Sequence, residues 1–322
     1  MENATGLAAR LREGLASVVA GNDRPALALL IAVFAGGHVL LEGVPGTGKT
    51  LFVRTLARLL GIGFSRVQFT PDLMPSDIVG TTVYNPKTGE FSVRLGPIFA
   101  NLVLADEVNR TPPKTQSALI EAMEEGRVTI DAETHMLPNP FILCATQNPV
   151  EYEGTYPLPE AQRDRFLVRA RTEYPSSDQE RDLLSRAARG FDSNDLARLG
   201  IEPVADAAAV VHAREETRKV RLVEALRDYI YAIAERSRQL PTVALGASPR
   251  AAIALLRASQ AVAIISGRDF IVPDDVKQAA PLVLPHRFVL DADAELDGLT
   301  AESVVEGILN DLPVPKEATA QI

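Results

Sequence analysis

Residues 38–60 read HVLLEGVPGTGKTLFVRTLARLL, and the three parts of this stretch decide the fold class. His38–Glu42 is a short, almost continuously apolar run, the pattern of a strand buried on both faces of a parallel sheet. Thr50–Leu60 carries Phe52, Val53, Leu56, Leu59 and Leu60 at three-to-four spacing, with Gly61 where a helix C-cap belongs. Between them Gly43-Val-Pro-Gly-Thr-Gly-Lys49-Thr50 fits the pattern G-x-x-x-x-G-K-[ST]. The glycines let the backbone N–H groups of Gly46, Thr47, Gly48, Lys49 and Thr50 turn toward one point, and the helix N-terminus adds its positive dipole there. Lys49 is placed to reach the β- and γ-phosphates of a nucleotide, and the Thr50 hydroxyl to ligate Mg²⁺. A purely structural glycine turn is the bland alternative. The strand before the loop and the helix after it argue against that alternative.

Outward from this stretch, strand-like and helix-like segments alternate through the first 175 residues. Further strands are predicted at Ser65–Phe69, Leu102–Ala105, Phe141–Ala145 and Phe166–Ala170, and helices at 26–35 and 114–125. The alternation predicts an α/β fold, an αβα sandwich around a parallel sheet. Two segments interrupt it. Thr81–Tyr84 and Glu90–Arg94 flank the turn-rich Asn85–Gly89, and Arg127–Ile130 and His135–Leu137 flank Asp131–Thr134. Both read as inserted β-hairpins, either surface decoration or contact devices.

A second chemical element is Leu102-Val-Leu-Ala-Asp106-Glu107, an apolar strand that delivers two acids to the carboxyl edge of the sheet, beside the glycine loop. Asp106 can hold the Mg²⁺ water shell, and Glu107 can orient and deprotonate a water. Other adjacent acids, Glu124-Glu125 and Asp274-Asp275, read as solvated helix faces or caps. A third element is Phe141–Pro149, whose strand tip should lie beside the Asp106 strand. The Asn148 amide could bridge an attacking water and the γ-phosphate, or Asn148-Pro149 could simply start a turn. Cys144, within that apolar run, reads as a small buried hydrophobe.

After Tyr174-Pro175 the strand pattern stops. Ser177-x-x-Glu180 reads as a capping box before a helix ending at Gly190, and helices are predicted at 207–218, 222–239, 250–266 and 274–280. Ser248-Pro249 supplies an N-cap and a first-turn proline. The expected division is therefore 1–175 for the αβα domain and 176–322 for an all-helical domain with an acidic C-terminal segment.

The chain has 322 residues, 33 Lys+Arg against 42 Asp+Glu, and a net charge of −9. That balance argues against a protein whose main work is holding nucleic acid or an anionic membrane surface. The charge is uneven, however: from Asp291 onward there are eight acids and one base, so the rest of the chain is nearly neutral. A single cysteine forbids an internal disulfide, and the longest apolar stretch, Pro25–Leu41, falls short of a membrane span. A cytoplasmic protein with no membrane insertion is the expectation.

GVPGTGKT, LADEVNRTPPKTQSALIEAMEEG, ATQNP, YPLPEAQRDRF and GASPRA, in this order, resemble the MoxR family of AAA+ ATPases, from about Val19 to about Val283. The resemblance implies an αβα ATPase domain followed by a helical lid, ATP and Mg²⁺ as ligands, and assembly into a homo-oligomeric ring, usually a hexamer. It implies that Asp106 and Glu107 form the Walker B pair, that Asn148 is sensor 1, and that Arg165 is the arginine finger inserted into a neighbour's site. Arg163, where the family usually has leucine, is a second candidate finger. By the same resemblance Arg250 is sensor 2, approaching the γ-phosphate from the lid, and Val19 and Ala20 line the adenine pocket. The hairpins are similar to the family's helix-2 insert and pre-sensor hairpin. A client protein is implied, reached through a partner with a von Willebrand A domain.

Two other functions fit parts of this pattern. A nucleic-acid motor would share the core, but the hairpins hold only Lys87, Arg94 and Arg127 as bases and show no aromatic stacking platform in sequence. A nucleotide-gated scaffold without turnover is disfavoured by Glu107, Asn148 and the arginines.

Overall fold

A sheet of five parallel strands carries the site, in the spatial order β2 (Phe64–Gln68), β5 (Leu102–Asp106), β8 (Ile142–Gln147), β1 (Val39–Gly43) and β9 (Val168–Thr172). The structure, a computed structural model, describes residues 2–18, 23–44, 46–148, 155–188, 196 and 199–315. Helices α1 (Glu2–Val18) and α2 (Asp23–Ala35) precede β1 (Val39–Gly43), α3 (Lys49–Leu60), β2 (Phe64–Gln68) and the short α4 (Pro75–Val79). Hairpin β3–β4 (Gly80–Asn85, Glu90–Leu95) leads to β5 (Leu102–Asp106) and α5 (Pro113–Glu125). Hairpin β6–β7 (Arg127–Ile130, Glu133–Met136) follows, then β8 (Ile142–Gln147), α6 (Glu160–Arg163) and β9 (Val168–Thr172). Beyond it come α7 (Ser177–Ala188), α8 (Ala207–Arg218), α9 (Glu224–Gln239), β10 (Val243–Leu245), α10 (Pro249–Ile265), α11 (Pro273–Val283), β11 (Val289–Leu290), α12 (Ala292–Leu296) and α13 (Ala301–Asp311).

Strand alternation divides the sheet between two cores. Val39, Leu41, Leu104 and Cys144 face α1–α3 and the later helices, whereas Leu40, Val103, Leu143 and Ala145 face α5 and the β6–β7 hairpin. Both faces are covered, which is why these strands read as continuous apolar runs. Cys144 is fully buried and burial pushes its thiol pKa well up, so it packs as a hydrophobe. The first core does not stop at the end of the sheet. Helix α10 packs on α2 as well as on α11, and one cluster joins α1–α3 to α8–α11.

Several local expectations need correction. The helical half contains a two-stranded antiparallel ribbon, β10–β11, so it is not entirely helical; strands of three and two residues are too short to leave a periodic signal. The cap of α7 is Ser176 with Gln179, not Ser177 with Glu180: Ser176 N donates to Gln179 Oε1 at 2.8 Å. The β6–β7 turn is only Asp131-Ala132, with φ of 46° and 72°, the two-residue turn that matches strand twist. An alanine in that conformation is unusual, and for that reason the loop reads as longer in sequence. Ser248 does cap α10, accepting from Ala251 N at 3.2 Å.

His38 anchors the amino end of β1. Its Nδ1 accepts from Leu143 N at 3.0 Å and its Nε2–H donates to Met123 O at 3.1 Å, a neutral tautomer with both nitrogens used. Burial lowers its pKa to about 4. The unfolded chain binds this proton near pH 6.5 and the folded chain does not, so stability falls as pH drops from 6.5 toward 4. The loss approaches about 3 kcal/mol at the acid end of that window. His38→Gln is expected to flatten the Tm-against-pH curve across it, measured by thermal denaturation.

Candidate nucleotide site and a second arginine cluster

The carboxyl ends of β1, β2, β5 and β8 open into a cavity of about 410 Å³. Gly43, Gly46, Thr47, Gly48, Lys49 and Thr50 line one side; Asp106, Glu107 and Asn148 line the other. The glycines are required by geometry. A Cβ at Gly43 would lie 2.0 Å from Thr172 Oγ1 on β9, and Gly46 and Gly48 have φ of 84° and 79° with open space where a side chain would project. That is a cradle whose backbone is free to meet phosphate oxygens, at the N-terminus of a twelve-residue helix. Lys49 Nζ donates to the carbonyls of Gly43 and Val44, both at 2.8 Å. Burial lowers its pKa, against the opposing pull of Asp106 and Glu107.

The two acids are held by a network of which sequence reading found only part. Thr146, at the tip of β8, donates through Oγ1 to Asp106 Oδ1 (2.5 Å) and accepts from Glu107 N (2.9 Å). Arg66 on β2 donates to Asp106 Oδ2 at 2.6 Å and to Gln68 Oε1 at 2.9 Å. Gln68 Nε2 in turn donates to Glu107 Oε2 at 2.8 Å, and Arg110 Nη1 to the same oxygen at 3.0 Å. Glu107 itself has φ 60° and ψ 49°, which turns its side chain away from the strand repeat and into the cavity. Arg66, Gln68, Thr146 and Arg110 went unread in the sequence. The available signal was Arg66 and Gln68 two apart on a predicted strand, hence on one face. Asn148 is buried and lines the cavity, and its carbonyl accepts from Asn109 Nδ2 at 3.3 Å. Val19 and Ala20 lie outside the described residues.

Arg165 and Arg250 do not line this cavity. Both sit at the amino edge of the sheet, beside the start of β1 and the end of α5, in a second cavity of about 390 Å³ that also touches His38. Five strand residues separate that edge from the glycine loop, roughly 15 Å of extended chain. Glu124 binds both arginines: Arg165 Nε is 2.9 Å from its Oε1 and Nη2 is 3.1 Å from Oε2, while Arg250 Nη2 donates to Oε1 at 2.8 Å. The expectation that Arg250 approaches the γ-phosphate from the lid is not met within one chain: the start of α10 faces the opposite edge of the sheet. Glu124 stays exposed on its helix, as expected of a solvated position, and in addition pairs both arginines. Glu125 also stays near solvent, paired with Arg127 at 2.6 Å. Arg163 turns toward Glu160 at 3.6 Å and lines neither cavity.

Arg287 ties the later helices to this edge. Buried, it donates to Asp164 Oδ1 at 2.7 Å and to the carbonyls of Phe166 (2.6 Å), Leu167 (3.1 Å) and Val283. His286 sits next to it on the Phe166 carbonyl at 3.0 Å. The contacts of both residues cross between the two halves of the chain.

Residues 38–168 match the ATPase family associated with various cellular activities (AAA), and residues 235–308 match the AAA lid domain. The chain is 44% identical over 93% of its length to Chaperone MoxR1 of Mycobacterium tuberculosis, covering 80% of that protein. It belongs to the MoxR family of AAA+ ATPases. It is also 49% identical to the uncharacterized protein YeaC of Bacillus subtilis, covering 96% of this chain and 95% of that one. A crystal structure of a putative ATPase from Cytophaga hutchinsonii superposes with a TM-score of 0.88 at 40% identity, covering 97% of this chain and 96% of the other. The αβα core with its parallel sheet and the lid that follows are thus those of the family. No helix among the described residues is long and apolar enough to cross a membrane.

Proposed function

We propose that this chain is the subunit of a ring-forming, hexameric ATPase that hydrolyses ATP to remodel or mature partner proteins. The observation that carries the reading is the placement of Arg165 and Arg250 on the sheet edge opposite the chain's own phosphate cradle. Guanidiniums there serve a neighbour's nucleotide, so a complete site needs two subunits.

Within one subunit the cradle and Lys49 bind the phosphates, and Asn148 and Glu107 position a water for in-line attack. Glu107 takes the proton, its carboxylate aimed by Gln68 and Arg110. Asp106 and Thr50 suit Mg²⁺ as oxygen donors beside the cradle. When bound, the ion neutralises charge on the phosphate oxygens. Arg165 and Arg250 from the neighbour add positive charge where the transition state spreads negative charge. We put the boundary between the catalytic and lid domains near 175, after the last strand of the sheet, although their cores are continuous.

A protein client is favoured by the β3–β4 hairpin. One face presents Tyr84, Phe91, Val93 and Leu95, all exposed, with the Tyr84 and Phe91 rings in contact, centroids 5.1 Å apart and planes tilted by 49°. The pair corrects the expectation that the hairpins lack an aromatic platform. Its neighbours are aliphatic, however, and bases are sparse, so the face suits an apolar polypeptide better than a nucleic acid backbone. The relative named as a chaperone supports the same reading. Delivery through a von Willebrand A partner and a cytoplasmic setting are proposed from the family resemblance alone. Phosphate release from the purified oligomer is expected to rise with an unfolded polypeptide and not with single-stranded DNA. Salt-sensitive stimulation by DNA would instead support a nucleic-acid motor.

A further inference from the structure

We propose that Glu124 is a positioning residue for the arginines that act on the neighbouring subunit's ATP. The proposal rests on the trans reading of Arg165 and Arg250 given above. The two guanidiniums come from separate parts of the chain, one from the loop after α6 and one from the first turn of α10 in the lid. Like charges do not gather unaided. Here both meet on one carboxylate, and both reach the same oxygen, Oε1. Hydrogen bonds from Arg250 and Arg165 hold the Glu124 pKa below the usual carboxylate range, so it stays charged.

Each partner is also fixed from behind. Arg165 Nη1 donates to the Ala161 carbonyl, and Arg250 Nη1 lies 3.8 Å from Asp164, the acid that Arg287 grips from the lid. Arg250 remains half exposed to the 390 Å³ cavity, with N–H groups free of Glu124. The result is a prearranged pair: Arg250 has N–H groups that can meet a phosphate directly, and Arg165 is held beside it with each nitrogen already on Glu124 or Ala161. Glu124 is also the point where the catalytic domain holds the start of α10, so a neighbour's phosphate that engages Arg250 pulls on the lid through the same contact.

Mixed rings test this. A Lys49→Ala subunit supplies only its arginines, and an Arg165→Ala/Arg250→Ala subunit supplies only its phosphate cradle, so turnover in the mixture reports one kind of interface. Adding Glu124→Gln to the Lys49→Ala subunit should lower kcat about tenfold with KM for ATP within twofold. The same change in the arginine-less subunit should alter kcat less than about twofold. Glu124→Asp, which keeps the charge on a shorter arm, should recover part of the loss, and it replaces Glu124→Gln if that variant does not enter rings. Equal losses in both subunits, no loss, a gain in kcat, or an effect on KM alone overturns the proposal. If the parent mixture has no turnover although mass measurement shows mixed rings, the trans reading itself has failed, a different result from loss of Glu124 alone.

Discussion

Glu107→Gln is expected to bind ATP within a few-fold of the parent affinity and to hydrolyse it about 100- to 10,000-fold more slowly, the range that loss of a positioned general base produces. The separation of binding from turnover follows from the contacts. The groups that cradle phosphate are Lys49 and the backbone of Gly46–Thr50, on the loop and α3, and none of them depends on Glu107 for its position. Glu107 is held independently, by Gln68 at 2.8 Å and Arg110 at 3.0 Å. A glutamine carbonyl accepts both of those hydrogen bonds, so the side chain stays in place while its capacity to take a proton is lost. Nucleotide titration and single-turnover phosphate release on the same preparation read the two quantities separately. Parent-like turnover would remove Glu107 as the base.

Arg165→Ala and Arg250→Ala are expected to lower turnover steeply, by about 1,000-fold for the finger, with ATP affinity of the isolated subunit little changed. Lys49→Ala should be inactive for a different reason, loss of its own cradle. Mixing Lys49→Ala subunits with Arg165→Ala subunits should then restore part of the activity, because some interfaces unite an intact cradle with an intact arginine pair. The expectation is a direct consequence of the geometry: β1 separates Arg165 from Lys49 of the same chain, and Glu124 and Ala161 keep the guanidinium on its own edge. Two inactive subunits that complement each other cannot be explained by a site contained in one chain. Absence of recovery in rings shown to be mixed would overturn the trans assignment.

Much of the nucleotide site was legible because its residues are consecutive. A glycine loop between a buried strand and an amphipathic helix announces both a conformation and a ligand, and the cradle residues Gly43, Gly46, Thr47, Gly48, Lys49 and Thr50 lie together at the carboxyl edge with Asp106, Glu107 and Asn148. What escaped notice was whatever needed two distant segments. Arg66 and Gln68 are ordinary polar residues on a strand until β2 is laid beside β5 in register, Gln68 opposite Asp106. Tyr84 and Phe91 become a patch only when the hairpin pairs them across strands.

Periodicity and spacing within about a dozen residues are enough to predict the alternating αβα core, the helical second half, the glycine loop and the acid pair, while the lid comes from the family resemblance. Tertiary structure decided which side of the sheet each charge serves. A strand has two ends, and nothing in the run Gly246-Ala-Ser-Pro-Arg250-Ala says which end the lid will bring its arginine to. Packing of α10 on α2, with Arg287 gripping the 164–167 loop, turns Arg250 toward Glu124 and away from Lys49. That choice is made by contacts more than a hundred residues apart, and they separate Arg165 and Arg250 from the chain's own nucleotide cavity.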